Sequence, residues 1–68
     1  MLSIDQRIGV RIRGKRLALG LSEDDVATAI GESTKTIAAY ERGGVRVPPD
    51  HLTRLAEFMG VTFGYFMF

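Results

Sequence analysis

Cysteine is missing from this 68-residue sequence, and histidine occurs once, at His51. Without Cys there is no disulfide and no thiolate metal site, and a lone His has no second imidazole with which to share an ion. His51 therefore reads as an ordinary helix residue, and no metal or cofactor is expected. The lack of Cys also fits a reducing compartment, so the cytoplasm is the expected location. Apolar runs are too short to span a bilayer, which argues against a membrane partner. The amino end does not read as a signal peptide, because Met1 to Gln6 lead into Arg7, Arg11, Arg13, Lys15 and Arg16. Charge of one sign is lacking too: nine Lys and Arg against eight Asp and Glu leave a net +1, which does not by itself imply nucleic acid. Nor is there a Gly-rich phosphate loop, or a nucleophile with a base at recognisable spacing, so no enzyme activity is expected.

What is present is a set of helix signals in one domain, near the lower size limit for an apolar core. Charge is unevenly distributed: five of the nine cations lie between Arg7 and Arg16 with no acid among them, while Glu23, Asp24, Asp25 and Glu32 group further on. In the stretch Leu21 to Gly43, apolar residues fall at helical spacing on both sides of Gly31. Val26, Ala27 and Ile30 form one stripe; Ile37 and Tyr40 form another. Ser22 suits an N-cap before the acidic turn Glu23-Asp24-Asp25, with Asp25 at capping-box spacing. Gly31 can close that helix in the left-handed conformation, and Ser33 can cap the next at once. So short a turn forces a steep crossing, and the small Ala27 gives Ile37 room to pack against the first helix.

On these residues the sequence resembles the Cro/repressor-like (Xre-type) helix-turn-helix of bacterial and phage regulators. Ala27, Gly31 and Ile37 match the family's small residue, turn glycine and branched apolar residue, and Val26, Ile30 and Tyr40 fit its core positions. The run Tyr40-Glu41-Arg42-Gly43 looks like its usual exit from the recognition helix. The flanks Ile8 to Leu21 and Leu55 to Val61 align without gaps, so the resemblance covers nearly the whole chain. It implies an all-α, five-helix, lambda-repressor-like fold with the helix-turn-helix at helices two and three. Residues 1–68 then make one such domain, either complete or the amino-terminal part of a longer regulator.

Taken in order, Asp5 to Leu19 reads as helix one, with Ile8, Ile12 and Leu19 inward; Gly9 and Gly14 each weaken it by about 1 kcal/mol relative to Ala. Pro48 and Pro49 make Gly43 to Pro49 a loop, and Pro49 suits the first position of helix four, Asp50 to Met59, with Leu52, Leu55, Ala56 and Met59 inward. Thr62 suits the cap of a last helix. Three Phe, a Tyr and a Met between Phe63 and Phe68 exceed what so small a core can bury. Phe63 and Phe66 are expected to complete the core. The remainder points either to a dimer interface drawn from Phe63, Tyr65, Phe66 and Phe68 or to a chain continuing past Phe68; both stay open.

The resemblance assigns roles. A recognition helix Ser33–Glu41 enters the major groove of double-stranded DNA, with Thr34, Lys35, Ala38 and Ala39 at base edges. Lys15, Ser22, Arg42 and Arg46 face phosphates. Arg16 and Glu41 form a partly buried ion pair. A homodimer reading two half-sites is implied, because the reading surface is short apart from Lys35. The acidic triplet departs from the family, which commonly has Gln at the position of Glu23, and it favours a second reading. In that reading the fold is a protein-interaction module whose aromatic end binds a protein partner.

Overall fold

Helix boundaries in this chain are set by capping residues. The computed structural model describes residues 1–68 as five helices and no strand: α1 (Ile4–Ala18), α2 (Glu23–Ile30), α3 (Thr34–Arg42), α4 (Pro49–Met59) and α5 (Phe63–Met67). Ser3 opens α1 one residue earlier than the expected Asp5: its Oγ accepts from the Gln6 N–H at 3.1 Å, while Gln6 Oε1 accepts from the Ser3 N–H at 2.9 Å. Ser22 and Asp25 build the same reciprocal box at α2, both bonds 2.9 Å. Gly31, at φ 73°, closes α2, and the Ser33 hydroxyl caps α3 by accepting from the Thr36 N–H at 3.2 Å. The recognition helix is thus shifted by one at each end from the expected Ser33–Glu41: Ser33 is its cap and Arg42 its last residue. Pro49 occupies the first position of α4 as expected, whereas Thr62 precedes α5 without a side-chain cap bond.

The core takes Ile8 and Ile12 from α1, Val26, Ala27 and Ile30 from α2, Ile37 and Tyr40 from α3, and Leu52, Leu55, Ala56 and Met59 from α4. Val47 pins the α3–α4 loop beneath it and Phe66 closes it from α5. Two expectations fail. Leu19 is the C-cap of α1 and stays 45% exposed, since the helix has ended before its side chain turns inward. Phe63 stays 42% exposed at the start of α5, leaving Phe66 alone to fill the space.

Gly9 overturns a third expectation. Far from merely weakening α1, it is buried where α1 crosses α3. A methyl group built on it would stand within 3.0 Å of the carbonyl oxygens of Tyr40 and Glu41. Gly43, at φ 73°, meets the Gln6 backbone just as closely. Gly14 has open space around it. The two α1 glycines should therefore respond oppositely to alanine in thermal unfolding. Gly9→Ala should destabilise by at least about 1–3 kcal/mol through overpacking, lowering Tm by about 4 °C or more. Gly14→Ala should stabilise by about 0.5–1 kcal/mol; equal shifts would sink the close-approach account.

Candidate nucleic-acid interface

The pair that anchors this face joins α1 to the last turn of α3. Arg16 Nε donates to Glu41 Oε2 at 2.7 Å and Arg16 Nη2 to Glu41 Oε1 at 3.0 Å, a two-pronged contact, while Nη1 donates to the Leu21 carbonyl at 3.1 Å. Both side chains are nearly out of water, 9% and 6% exposed. The hydrogen bonds to Glu41 raise the Arg16 pKa above its ordinary value, against the opposing effect of burial. Arg13 adds a more distant contact, its Nε 3.9 Å from Glu41 Oε1.

With the exit of α3 fixed and Ile37 and Tyr40 buried behind it, the opposite side faces outward. Thr34 and Lys35 are exposed in the first turn, and Ala38 and Ala39 are half-buried behind them. Lys35, Lys15 and Arg42 enter no ion pair. Arg46 does: its Nε lies 2.7 Å from Asp5 Oδ1, which ties the α3–α4 loop to the start of α1 while the guanidinium stays exposed.

Of the three acids at the start of α2, one is tied into the helix cap. Asp25 is turned back into its own helix, where the Ser22 backbone N–H and then the Ser22 hydroxyl hold its carboxyl below the usual range. This engages the Ser22 hydroxyl within the cap. Glu23 lies near enough to Arg16 to help raise that residue's pKa. Asp24 is exposed and makes no such contact.

Sequence reasoning missed one constellation. His51 is no bystander on α4: its Nδ1 lies 2.8 Å from the Tyr40 hydroxyl and its Nε2 3.6 Å from Glu32 Oε1. Lone-residue reasoning could not find it, because the partners lie 11 and 19 positions away on another helix and in the turn. The aromatic end is also divided more sharply than expected. Phe66 is fully buried, which removes it from the candidate interface residues, and Tyr65 is half-buried beneath Arg11, whose Cζ lies 5.9 Å from the ring centroid. Phe63 and Phe68 remain exposed. Phe63 borders an open apolar groove with Ile4, Val47, Pro49, Leu52 and Met67, with Arg46 at its rim.

Residues 12–66 match the model of a family described as helix-turn-helix. The chain belongs to the Cro/repressor-like helix-turn-helix family. A family relative from Rhodospirillum rubrum, named as an uncharacterized transcriptional regulator in an ATPase CF(0) region, is 36% identical over 63 residues, covering 93% of this chain and 58% of its own. A rhizobial relative from Sinorhizobium medicae is 32% identical with 45% of its length covered, so the chain spans about half the length of the curated relatives it matches. Among solved structures, the restriction-modification controller protein C.AhdI from Aeromonas hydrophila superposes with a TM-score of 0.84 at 26% identity, covering 90% of this chain and 92% of that one. The family fold also occurs in hydroxypropylphosphonic acid epoxidase from S. wedmorenis, with a TM-score of 0.87 at 22% identity. There it matches 36% of the enzyme's chain, a likeness of fold alone.

Glu41→Gln should strand the nearly buried Arg16 charge and cost about 3–5 kcal/mol, seen as a Tm lower by about 12 °C or more; an unmoved Tm would show the pair to be dispensable. Asp25 predicts an acid dependence. Its folded pKa lies below the ordinary value of an aspartate carboxyl, so its contribution is present above that ordinary value and lost as pH falls through the folded one. The Tm difference between wild type and Asp25→Asn should thus be widest near neutrality and close in strong acid. A difference constant with pH would contradict the cap assignment.

Proposed function

We propose that the chain is the sequence-specific, double-stranded-DNA-binding domain of a transcriptional regulator and acts as a homodimer in the cytoplasm, at the nucleoid. Family membership and relatives named as transcriptional regulators point to a regulator rather than an enzyme. The observation that carries the proposal is the outward face of α3. Its first turn offers Thr34 and an unpaired Lys35, side chains that read thymine methyls and guanine acceptors, while one of the three acids opening α2, Asp25, is engaged in its own helix cap. Ala38 and Ala39 let the helix approach base edges closely. Lys15, Arg42 and Arg46 supply phosphate contacts, and Ser22 joins them if its hydroxyl leaves the cap.

Few base contacts come from one copy, so two half-sites, about one helical turn or ~34 Å apart, are needed for useful affinity. The exposed Phe63, which borders the apolar groove, together with the exposed Phe68 and the half-buried Tyr65, is the surface assigned to the dimer. The same exposed surface supports the competing reading, a protein-interaction module with weak DNA affinity. Salt separates the two: contact with several phosphates weakens steeply as salt rises, and an apolar contact does not.

Selection from random duplexes should enrich a two-fold-symmetric site. Lys35→Ala should relax preference at one position per half-site, costing about 1–3 kcal/mol there. Arg46→Ala should weaken all sequences alike and reduce the salt slope by about one. No enrichment, with no binding at low salt, would overturn the DNA reading in favour of the interaction module.

A further inference from the structure

Five consecutive residues from Gly31 to Lys35 are exposed, and one of them, Glu32, brings a carboxylate to the turn that precedes the proposed reading residues. Its backbone is fixed by a bond from its N–H to the Ala27 carbonyl at 2.9 Å. The side chain reaches across to α4, where Oε1 lies 3.6 Å from His51 Nε2, and the two side chains are only 35% and 14% exposed. His51 is held in turn by Tyr40, whose hydroxyl lies 2.8 Å from Nδ1 and whose ring meets the imidazole edge-on at 5.9 Å. Burial first, then the charges of Glu32 and Asp50, raise the Tyr40 pKa, so the phenol keeps its proton and is available as a donor to Nδ1. In the imidazole tautomer that accepts from Tyr40 at Nδ1, the ring proton is on Nε2, facing Glu32. Of the other charged groups nearby, Asp50 precedes His51 in the chain, and Arg54 is turned to the end of α2, its Nη1 donating to the Ile30 carbonyl at 3.3 Å.

We propose that His51, set by Tyr40, is a positioning residue that holds the Glu32 carboxylate against α4 and so keeps a negative charge out of the phosphate path at the start of the recognition helix. This rests on the DNA-binding reading. Glu32 stands two residues before Thr34 and three before Lys35, so an untethered carboxylate would compete with Lys35 for the same surface. The effect of one such carboxylate near a phosphate in water is about threefold to fivefold in affinity at low salt.

The test uses two isosteres of the imidazole. His51→Asn keeps an acceptor near the Nδ1 position for Tyr40 but offers no donor toward Glu32; His51→Gln places its amide near the Nε2 position. Affinity for a short mixed-sequence duplex at low salt should fall about threefold to fivefold in His51→Asn, stay near wild type in His51→Gln, and recover in His51→Asn combined with Glu32→Gln. Glu32→Gln alone leaves α4 untouched and serves even where His51→Asn does not fold; it should change affinity by less than about twofold, the carboxylate being already held aside. Loss in His51→Asn that Glu32→Gln fails to restore would assign His51 to helix packing only and overturn the proposal. So would an unchanged His51→Asn, or a fivefold gain from Glu32→Gln alone. If the wild-type chain binds no duplex, the DNA reading falls and takes this proposal with it; if it binds and only the His51–Glu32 coupling is missing, this proposal falls alone.

Discussion

Everything on the outward face depends on how α1 is joined to α3. A nine-residue helix has too few backbone bonds to persist in water by itself, so α3 exists because its inner side is held. Ile37 and Tyr40 supply the apolar part of that hold. The two-pronged Arg16–Glu41 contact supplies a directional part, fixing where the last turn lies and, through a rigid helix, where the first turn points. The absence of a side chain at Gly9 lets the two backbones come close enough for the pair to form. A buried ion pair is weak evidence for net stability, because two charges must leave water to make it. What it adds here is direction: two parallel hydrogen bonds join α1 to the last turn of α3 in one relative placement.

The sequence was most legible where structure is decided within a few residues. Ser22, Gly31, Ser33 and Pro49 each satisfy or terminate a backbone group by local chemistry, and the elements they bound fall where those residues place them to within one position. Spacing also identified the inward residues of α2 and α4. Legibility failed where the deciding partner is remote. Gly9 looks like a helix weakness until α3 is laid across it, and His51 looks inert until Tyr40 and Glu32 arrive from elsewhere in the chain. The aromatic run failed for another reason: composition says how many rings exceed the core but not which, and the short α5 admits Phe66 while leaving Phe63 outside. The Arg16–Glu41 contact was accessible only through the family resemblance, since nothing local links positions 25 residues apart.

Charge shows the same contrast between composition and arrangement. A net charge of +1 describes the field far from the molecule, but at physiological salt charges beyond about 8 Å are largely screened, so a phosphate responds to what lies within its own shell. Several carboxylates here have a neighbour of their own: Glu41 faces Arg16, Asp5 faces Arg46, Asp25 faces its helix cap and Glu32 faces His51. Pairing does not abolish a carboxylate's charge, but it fixes the direction in which that charge is presented. Lys15, Lys35 and Arg42 are not tied in this way and can turn toward an incoming anion. A nearly neutral chain can thus present a locally cationic face.

That face is small, and its size argues for two copies. Lys35 is the only long side chain among the proposed base-reading positions, and a single bidentate base contact discriminates by about 1–3 kcal/mol, too little to distinguish one site among many competitors. Duplicating the surface adds the discrimination of two half-sites, provided the copies are held at the spacing of the groove. The apolar groove beside Phe63 is formed by the start of α1, the α3–α4 loop, α4 and α5 rather than by the exposed turn of α3. Covering it with a second copy would therefore consume none of the residues proposed to read bases. Among the proposed phosphate contacts, Arg46 does lie at the groove's rim. Its pairing with Asp5 keeps the guanidinium exposed at that border, where dimer formation and phosphate contact would act on the same side chain.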